Sequence, residues 1–293
     1  MWTLLVLMVC FPLHAECNSC RFSHRDASPY YYPPKEVDVY PKSFVVISQP
    51  RSGTHFLIDM LNLNPQVLCH GEVFSPAIVE TDFMNITVQA RDNNRTDIIR
   101  KLFRCTSKKK HGCNDQYDFN NIVRNEIQQV GFKVFTRQFN YHQLRILGMS
   151  NNVYKIVLFR KNAIDGLVSL HKARKYNTWM HNDTTNEKMR MPIDWLESYI
   201  KYNNEFMVCM RTMADASQNT EKWVFLTYED LYQDTVGVMS KVFRFLNVDD
   251  IDNLDVAMNT ISSTKQDRTV RSRDKLKNAD EIEAKFGSKI FDP

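Results

Sequence analysis

Residues 48–55 read Ser48-Gln49-Pro50-Arg51-Ser52-Gly53-Thr54-His55 and join two segments of different periodicity. Before them, Phe44–Ser48 (FVVIS) is a continuous apolar run, the pattern of a strand covered on both faces. After them, Thr54–Leu63 carries Phe56, Leu57, Met60 and Leu61 at helical spacing. Strand, short glycine-bearing loop and helix in that order aim backbone N–H groups and the positive end of a helix at an anion. Gly53 lets the backbone approach the anion closely, and Arg51, Ser52 and Thr54 add side-chain donors. Laid on the nucleotide-triphosphate loop G-x-x-x-x-G-K-[ST], the stretch keeps only the second glycine. Thr54 stands where the phosphate lysine would be, and His55 where the magnesium-binding hydroxyl would be. The two working side chains of a kinase or ATPase loop are absent.

Working outward, strands and helices alternate. Val67–Cys69 reads as a short strand, and 75–118 as a polar insertion with a helix near Thr96–Arg104. A helix at Asn120–Gln129 precedes the strand Gly131–Phe135, and the strand Val153–Phe159 precedes the helix Ala163–Tyr176. Pro192 opens a long helix to about Asp215, as proline favours a first helical turn. Trp223–Thr227 is a further strand, followed by the helix Leu231–Leu246. The alternation predicts an α/β fold with a P-loop-like parallel sheet, helices on both faces and ligands at the carboxyl ends of the strands.

A chain of 293 residues, 43% hydrophobic and 25% charged, supplies one substantial core, placed at 43–293. The net charge of +4 suits an anionic ligand and is too small and dispersed for nucleic acid. Trp2–Leu13 is an apolar run of signal-peptide length, which places a leader at 1–15, with an uncleaved anchor as the alternative; no later segment is expected to span a membrane. Residues 16–42, with Pro29, Pro33, Pro34 and Pro41, form an extended arm. The leader, the sequons at Asn85, Asn94 and Asn182, and cysteines including Cys105 and Cys113 around a short polar loop together point to the secretory route, secreted or retained in the Golgi lumen.

The segment KSFVVISQPRSGTHFLIDML resembles the 5′-phosphosulfate loop of sulfotransferases that use 3′-phosphoadenosine 5′-phosphosulfate (PAPS), above all the carbohydrate type. Cys69-His70-Gly71-Glu72-Val73-Phe74, Gly131-Phe132-Lys133-Val134, Arg160-Lys161-Asn162 with Val168-Ser169, and Thr227-Tyr228-Glu229-Asp230-Leu231 are similar to later segments of the bacterial trehalose and nodulation-factor sulfotransferases, in the same order. The resemblance implies PAPS as sulfuryl donor, no required metal, and a hydroxyl acceptor on a carbohydrate or small molecule.

It also distributes roles. Arg51, Ser52, Gly53 and Thr54 are expected at the 5′-phosphosulfate. Arg160 or Lys161, with Ser169 two helical turns on, is expected at the 3′-phosphate, and Arg160 is favoured for its bidentate fork. Arg271 and Arg273 lie in a late basic stretch, Ser262–Lys277, expected to fold over the nucleotide. Acceptor deprotonation needs a base: Glu72 leads, partly buried and with a raised pKa, and His70 is the alternative. His55, standing where cytosolic relatives carry lysine, and Lys133 are candidates to stabilise charge on the leaving phosphate. Trp179, His171 and Trp195 are candidates for the acceptor mouth, and Lys108-Lys109-Lys110 for greeting an anionic acceptor. A non-catalytic binder of sulfated glycans on the same fold is the rival reading.

Overall fold

The computed structural model describes residues 42–75, 87–104, 127–139, 141–177, 183–185, 187–260 and 267–291. The leader at 1–15, the arm up to 41, the Cys105–Cys113 pair, the sequons at Asn85 and Asn182, the lysine run at 108–110, Trp179 and residues 120–126 of the helix expected over 120–129 lie outside them.

Five strands form one parallel sheet: β1 (Lys42–Ser48), β2 (Val67–His70), β3 (Gln129–Phe135), β4 (Val153–Phe159) and β5 (Trp223–Thr227), in the order β2-β3-β1-β4-β5. Ser48, at the end of β1, is level with Phe135 of β3 and Leu158 of β4. The loops that leave these three strands therefore open side by side. Gly131 permits the β1–β3 contact at mid-strand: a Cβ there would lie 2.5 Å from the Phe44 ring and carbonyl oxygen.

Ten helices complete the described chain: α1 (Thr54–Leu63), α2 (Val88–Asn93), α3 (Arg95–Arg104), α4 (Tyr141–Met149), α5 (Ala163–Tyr176), α6 (Ile193–Ala216), α7 (Tyr228–Gln233), α8 (Thr235–Leu246), α9 (Leu254–Ala257) and α10 (Ala279–Phe286). Alternate residues of β1 feed opposite cores, as the two-residue period of a strand requires. Val45 and Ile47 pack with Leu102 of α3, Leu147 of α4 and Met210 and Met213 of α6. Phe44 and Val46 pack with Leu57, Met60 and Leu61 of α1 and Val242, Phe243 and Leu246 of α8. Each fully buried side chain of this kind stabilises the fold by about 1.5–3 kcal/mol. A third cluster joins Leu167 and Val168 of α5 and Leu196 of α6 to Leu276 and Ile282 near the C-terminus.

Several features depart from the sequence expectation. Residues 75–118 are not wholly an insertion, because Ile98 and Leu102 of α3 enter the core and buried Arg91 donates to the carbonyls of Val73 and Ser75. The helix α4 was not read from the sequence; its Leu144 and Leu147 are buried in the core. The helix expected over 231–246 starts earlier and breaks at Asp234, whose carboxylate accepts from the Gly237 N–H at 3.0 Å and caps α8. Lys42, assigned to the arm, and Gln129, assigned to the end of a helix, already pair in the sheet.

Candidate donor and transfer site

The loop between β1 and α1 holds two residues in the left-handed region, Arg51 (φ 68°) and Gly53 (φ 83°). Glycine tolerates that conformation, whereas at Arg51 it costs about 1–3 kcal/mol and needs outside support. The support comes from two partners, one on α5 and one just past the end of β4. Arg51 Nε donates to Ser169 Oγ on α5 at 2.9 Å, and the Arg51 carbonyl accepts from Arg160 Nη1 at 3.3 Å. Gly53 has a second requirement, since a Cβ there would lie 2.3 Å from Tyr228 Cδ2. Tyr228 thus covers the loop, and its ring also lies 4.5 Å from the Arg160 guanidinium carbon. Ser52 and Thr54 are buried in the same turn.

Two guanidiniums consequently share one small volume. Burial, reinforced by the charge of Arg160, lowers the Arg51 pKa to about 10. Arg160 lies 3.2 Å from the Asp165 carboxylate of α5. Its Nε is buried without a hydrogen-bond partner, the Glu229 carboxylate being 4.0 Å away. Glu229 instead accepts from the backbone N–H groups of Lys161 and Asn162, at 3.0 and 3.1 Å, and so clasps the turn that delivers Arg160. The adjacent Lys161 turns outward to exposed Asp230, 3.3 Å away. The two basic neighbours that the sequence left as alternatives therefore have different surroundings: Arg160 faces the loop and Asp165, and Lys161 faces the surface.

On the other side of the loop, three elements bring four polar side chains together. His55, in the first turn of α1, has Nε2 3.4 Å from the Lys133 ammonium at the end of β3. Lys133 Nζ lies 3.1 Å from Glu72 Oε2, just past the end of β2. Gln138, in the turn after β3, donates to the other Glu72 oxygen. Lys133 is fully buried, so its ammonium depends on these neighbours and on the face of Phe135, 5.0 Å away. Glu72 is thus a carboxylate paired with a buried ammonium, not one that stands alone in a buried site. His70 is buried one strand position earlier, level with Phe132, and alternation sends it to the sheet face opposite Lys133.

The late basic stretch divides. Arg273 turns to Asp280 and Glu283 of α10, and its guanidinium lies over Phe291, so it does not join the cluster around Arg51 and Arg160. Arg271 is exposed. The cation that does reach inward is Lys275, buried 2.7 Å from Asp165. Ser272 beside it accepts from Asn162 Nδ2 at 2.9 Å. Of the acceptor candidates, His171 and Trp195 meet as tilted rings, centroids 5.5 Å apart, between α5 and α6, with Trp195 45% exposed.

Sequence reasoning passed over Asp165, Gln138 and the positions of Tyr228 and Glu229. Only Asp165 carried a usable signal, as an acidic residue in the first turn of the helix that follows Arg160. Among the described residues, no group of three or more His, Cys, Asp and Glu side chains is placed to hold a metal ion.

A family model described as the sulfotransferase domain matches residues 41–289. Nodulation protein H of Rhizobium tropici is 23% identical over 219 residues, covering 70% of this chain and 76% of that protein. Nodulation protein H of Rhizobium meliloti is 22% identical over 244 residues, covering 81% and 90%. A mouse sulfotransferase, SULT7A1, complexed with PAP (TM-score 0.42, 14% identity) matches over 78% of this chain and 66% of its own.

Proposed function

The chain belongs to the sulfotransferase domain family, and from that membership we propose that it moves the sulfuryl group of PAPS onto a hydroxyl of a carbohydrate or small-molecule acceptor. The observation that carries this reading is the loop at 50–54 with a cationic, hydroxyl-bearing cluster on one side and the His55–Lys133–Glu72 chain on the other. An anionic donor fits the first side: two crowded guanidiniums, a buried Arg160 Nε lacking a partner, and N–H groups at a helix start all gain from an anion. Ser52, Gly53, Thr54 and Arg51 would hold the 5′-phosphosulfate, and Arg160 with Ser169 the 3′-phosphate.

The second side suits the transfer. The acceptor oxygen forms a bond to sulfur while its proton passes to the Glu72 carboxylate. The bond from sulfur to the bridging phosphate oxygen breaks, and 3′-phosphoadenosine 5′-phosphate (PAP) leaves with the electron pair. Lys133 and His55, next to the loop, would meet that charge without a metal. His70, on the other sheet face, has no comparable path to the loop and ranks behind Glu72 as base.

Calorimetric titration with PAP, AMP and ATP tests the reading. Tight binding that requires the 3′-phosphate and no Mg²⁺ is expected, and a preference for ATP with Mg²⁺ would refute it.

For the secretory route, support comes from the apolar N-terminal run, from surface-exposed Asn94 in its sequon at the end of α2, and from Cys209 on α6, which is disulfide-bonded. A shift in mobility on deglycosylation of the secreted protein, lost in Asn94→Gln, Asn85→Gln and Asn182→Gln combined, checks it.

A further inference from the structure

Asp165 stands between two cations that come from opposite ends of the fold. Its Oδ2 lies 3.2 Å from Arg160 Nη2, at the end of β4, and its Oδ1 lies 2.7 Å from Lys275 Nζ, in the segment leading to α10. All three side chains are largely out of water: Arg160 is 11% exposed, Asp165 14% and Lys275 3%. The segment that carries Lys275 is fixed by other bonds. Met189 N donates to the Lys275 carbonyl and Lys277 N to the Met189 carbonyl, both at 2.8 Å, and Asn278 exchanges hydrogen bonds with the Met191 backbone at 2.9 Å each way. Lys275 therefore does not depend on Asp165 for its place. What it supplies is charge.

A buried carboxylate beside Arg160 works against the role given above to that guanidinium, because it satisfies the cation and repels an incoming phosphate. A third charge decides the balance. With Lys275 on its other oxygen, Asp165 is neutralised by a second cation, and Arg160 keeps more of its positive charge. Water screens this carboxylate little, since only 14% of it is exposed, and Glu229 adds another negative charge 4.0 Å from Arg160 Nε, so compensation of Asp165 matters the more.

We propose that Lys275 is the counter-ion of Asp165, and that this pairing makes Arg160 available to the 3′-phosphate of the donor. Asp165 and Lys275 are positioning residues and make no contact with the nucleotide in this scheme. The inference rests on the donor reading of the preceding subsection. It adds that selectivity for a 3′-phosphorylated nucleotide is controlled from the C-terminal segment by charge compensation.

The experiment is calorimetric titration of the full chain and three variants with PAP and with AMP. Lys275→Met removes the charge and keeps the bulk of the stem. It is expected to weaken PAP binding on the order of tenfold while leaving AMP unchanged, the cost of an uncompensated carboxylate near a phosphate. Adding Asp165→Asn to Lys275→Met removes that carboxylate and is expected to restore most of the PAP affinity. Asp165→Asn alone leaves a buried lysine unpaired and is read for stability, where a loss that Lys275→Met reverses is expected. Failure of the double variant to recover PAP affinity would overturn the proposal, because a lysine that binds the phosphate itself cannot be replaced by removing Asp165. Equal changes for PAP and AMP would also overturn it, marking a merely structural pair. If the unaltered protein binds no PAP, the donor reading fails first, and that result is visible before any variant is made.

Discussion

Lys133 and Glu72 meet across the ends of two adjacent parallel strands, Nζ 3.1 Å from Oε2, with the ammonium fully buried and the carboxylate 14% exposed. Neither would be stable there alone, since a buried charge without its partner costs about 3–5 kcal/mol. Glu72→Gln is therefore expected to separate two quantities. PAP affinity should stay within about threefold, since the donor cluster lies across the loop, while turnover falls by about 10²–10⁴, the usual contribution of a general base. Transfer of labelled sulfuryl from PAPS together with calorimetry reads both, and full turnover would remove Glu72 from the role.

Arg160 and Lys161 are neighbours in sequence with opposite surroundings. Arg160→Ala should weaken PAP binding by about tenfold to a hundredfold, as expected for loss of a charge-assisted bidentate contact. Lys161→Ala removes only an exposed pair with Asp230 and should change affinity by less than about threefold. The reverse ranking would place the 3′-phosphate on the outer face of the turn.

Gly53→Ala tests the loop. Its Cβ would fall 2.3 Å from the Tyr228 ring, and the backbone at φ 83° disfavours any side chain. A loss of about 2 kcal/mol or more in urea unfolding is expected, together with weakened PAP binding. Adding Tyr228→Ala relieves the contact and should recover part of the stability but not the strain of the left-handed backbone.

Lys155, buried in β4 beside the Trp223 ring and bonded to the Ser150 carbonyl, has its pKa lowered to about 8 by burial and then by the charge of Lys222. The unfolded lysine titrates at 10.5. Between these values the unfolded chain binds more protons, so this group makes stability rise with pH from about 8 to 10.5 and leaves it flat and lowest below 8. Unfolding midpoints should therefore increase between pH of about 7 and about 9.5. In Lys155→Met that rise should be smaller, with stability at neutral pH higher by about 2 kcal/mol.

Much of this molecule was readable from its sequence, for a local reason in each case. Apolar runs and helical spacing located α1, β4, α5 and β5 to the residue, and β1 but for its first two residues, because each is buried along one face or both and its pattern reports that burial directly. The loop at 48–55, with glycine before the helix and no lysine after it, marked an anion site of a non-ATP kind. Elsewhere the reading failed: α4, whose apolar residues are interrupted by Arg145 and Gly148, was not read as a helix, and the break at Asp234 depends on a cap that only the chain path reveals.

Roles that depend on distance along the chain were not readable. Arg273 and Lys275 are two residues apart in one polar stretch, and nothing local says that the first turns to α10 and the second reaches Asp165. Likewise Arg160 and Lys161 differ only in which neighbour the turn offers each of them. The sequence by itself determined the parallel α/β sheet, the anion loop and the family, because periodicity, glycine placement and residue order are properties of the chain. Which cation faces the loop, which carboxylate meets Lys133 and which lysine compensates Asp165 were decided only by tertiary structure. Coulomb interactions act through space, and burial sets their strength, so a charge acquires its role only when the fold chooses its neighbours.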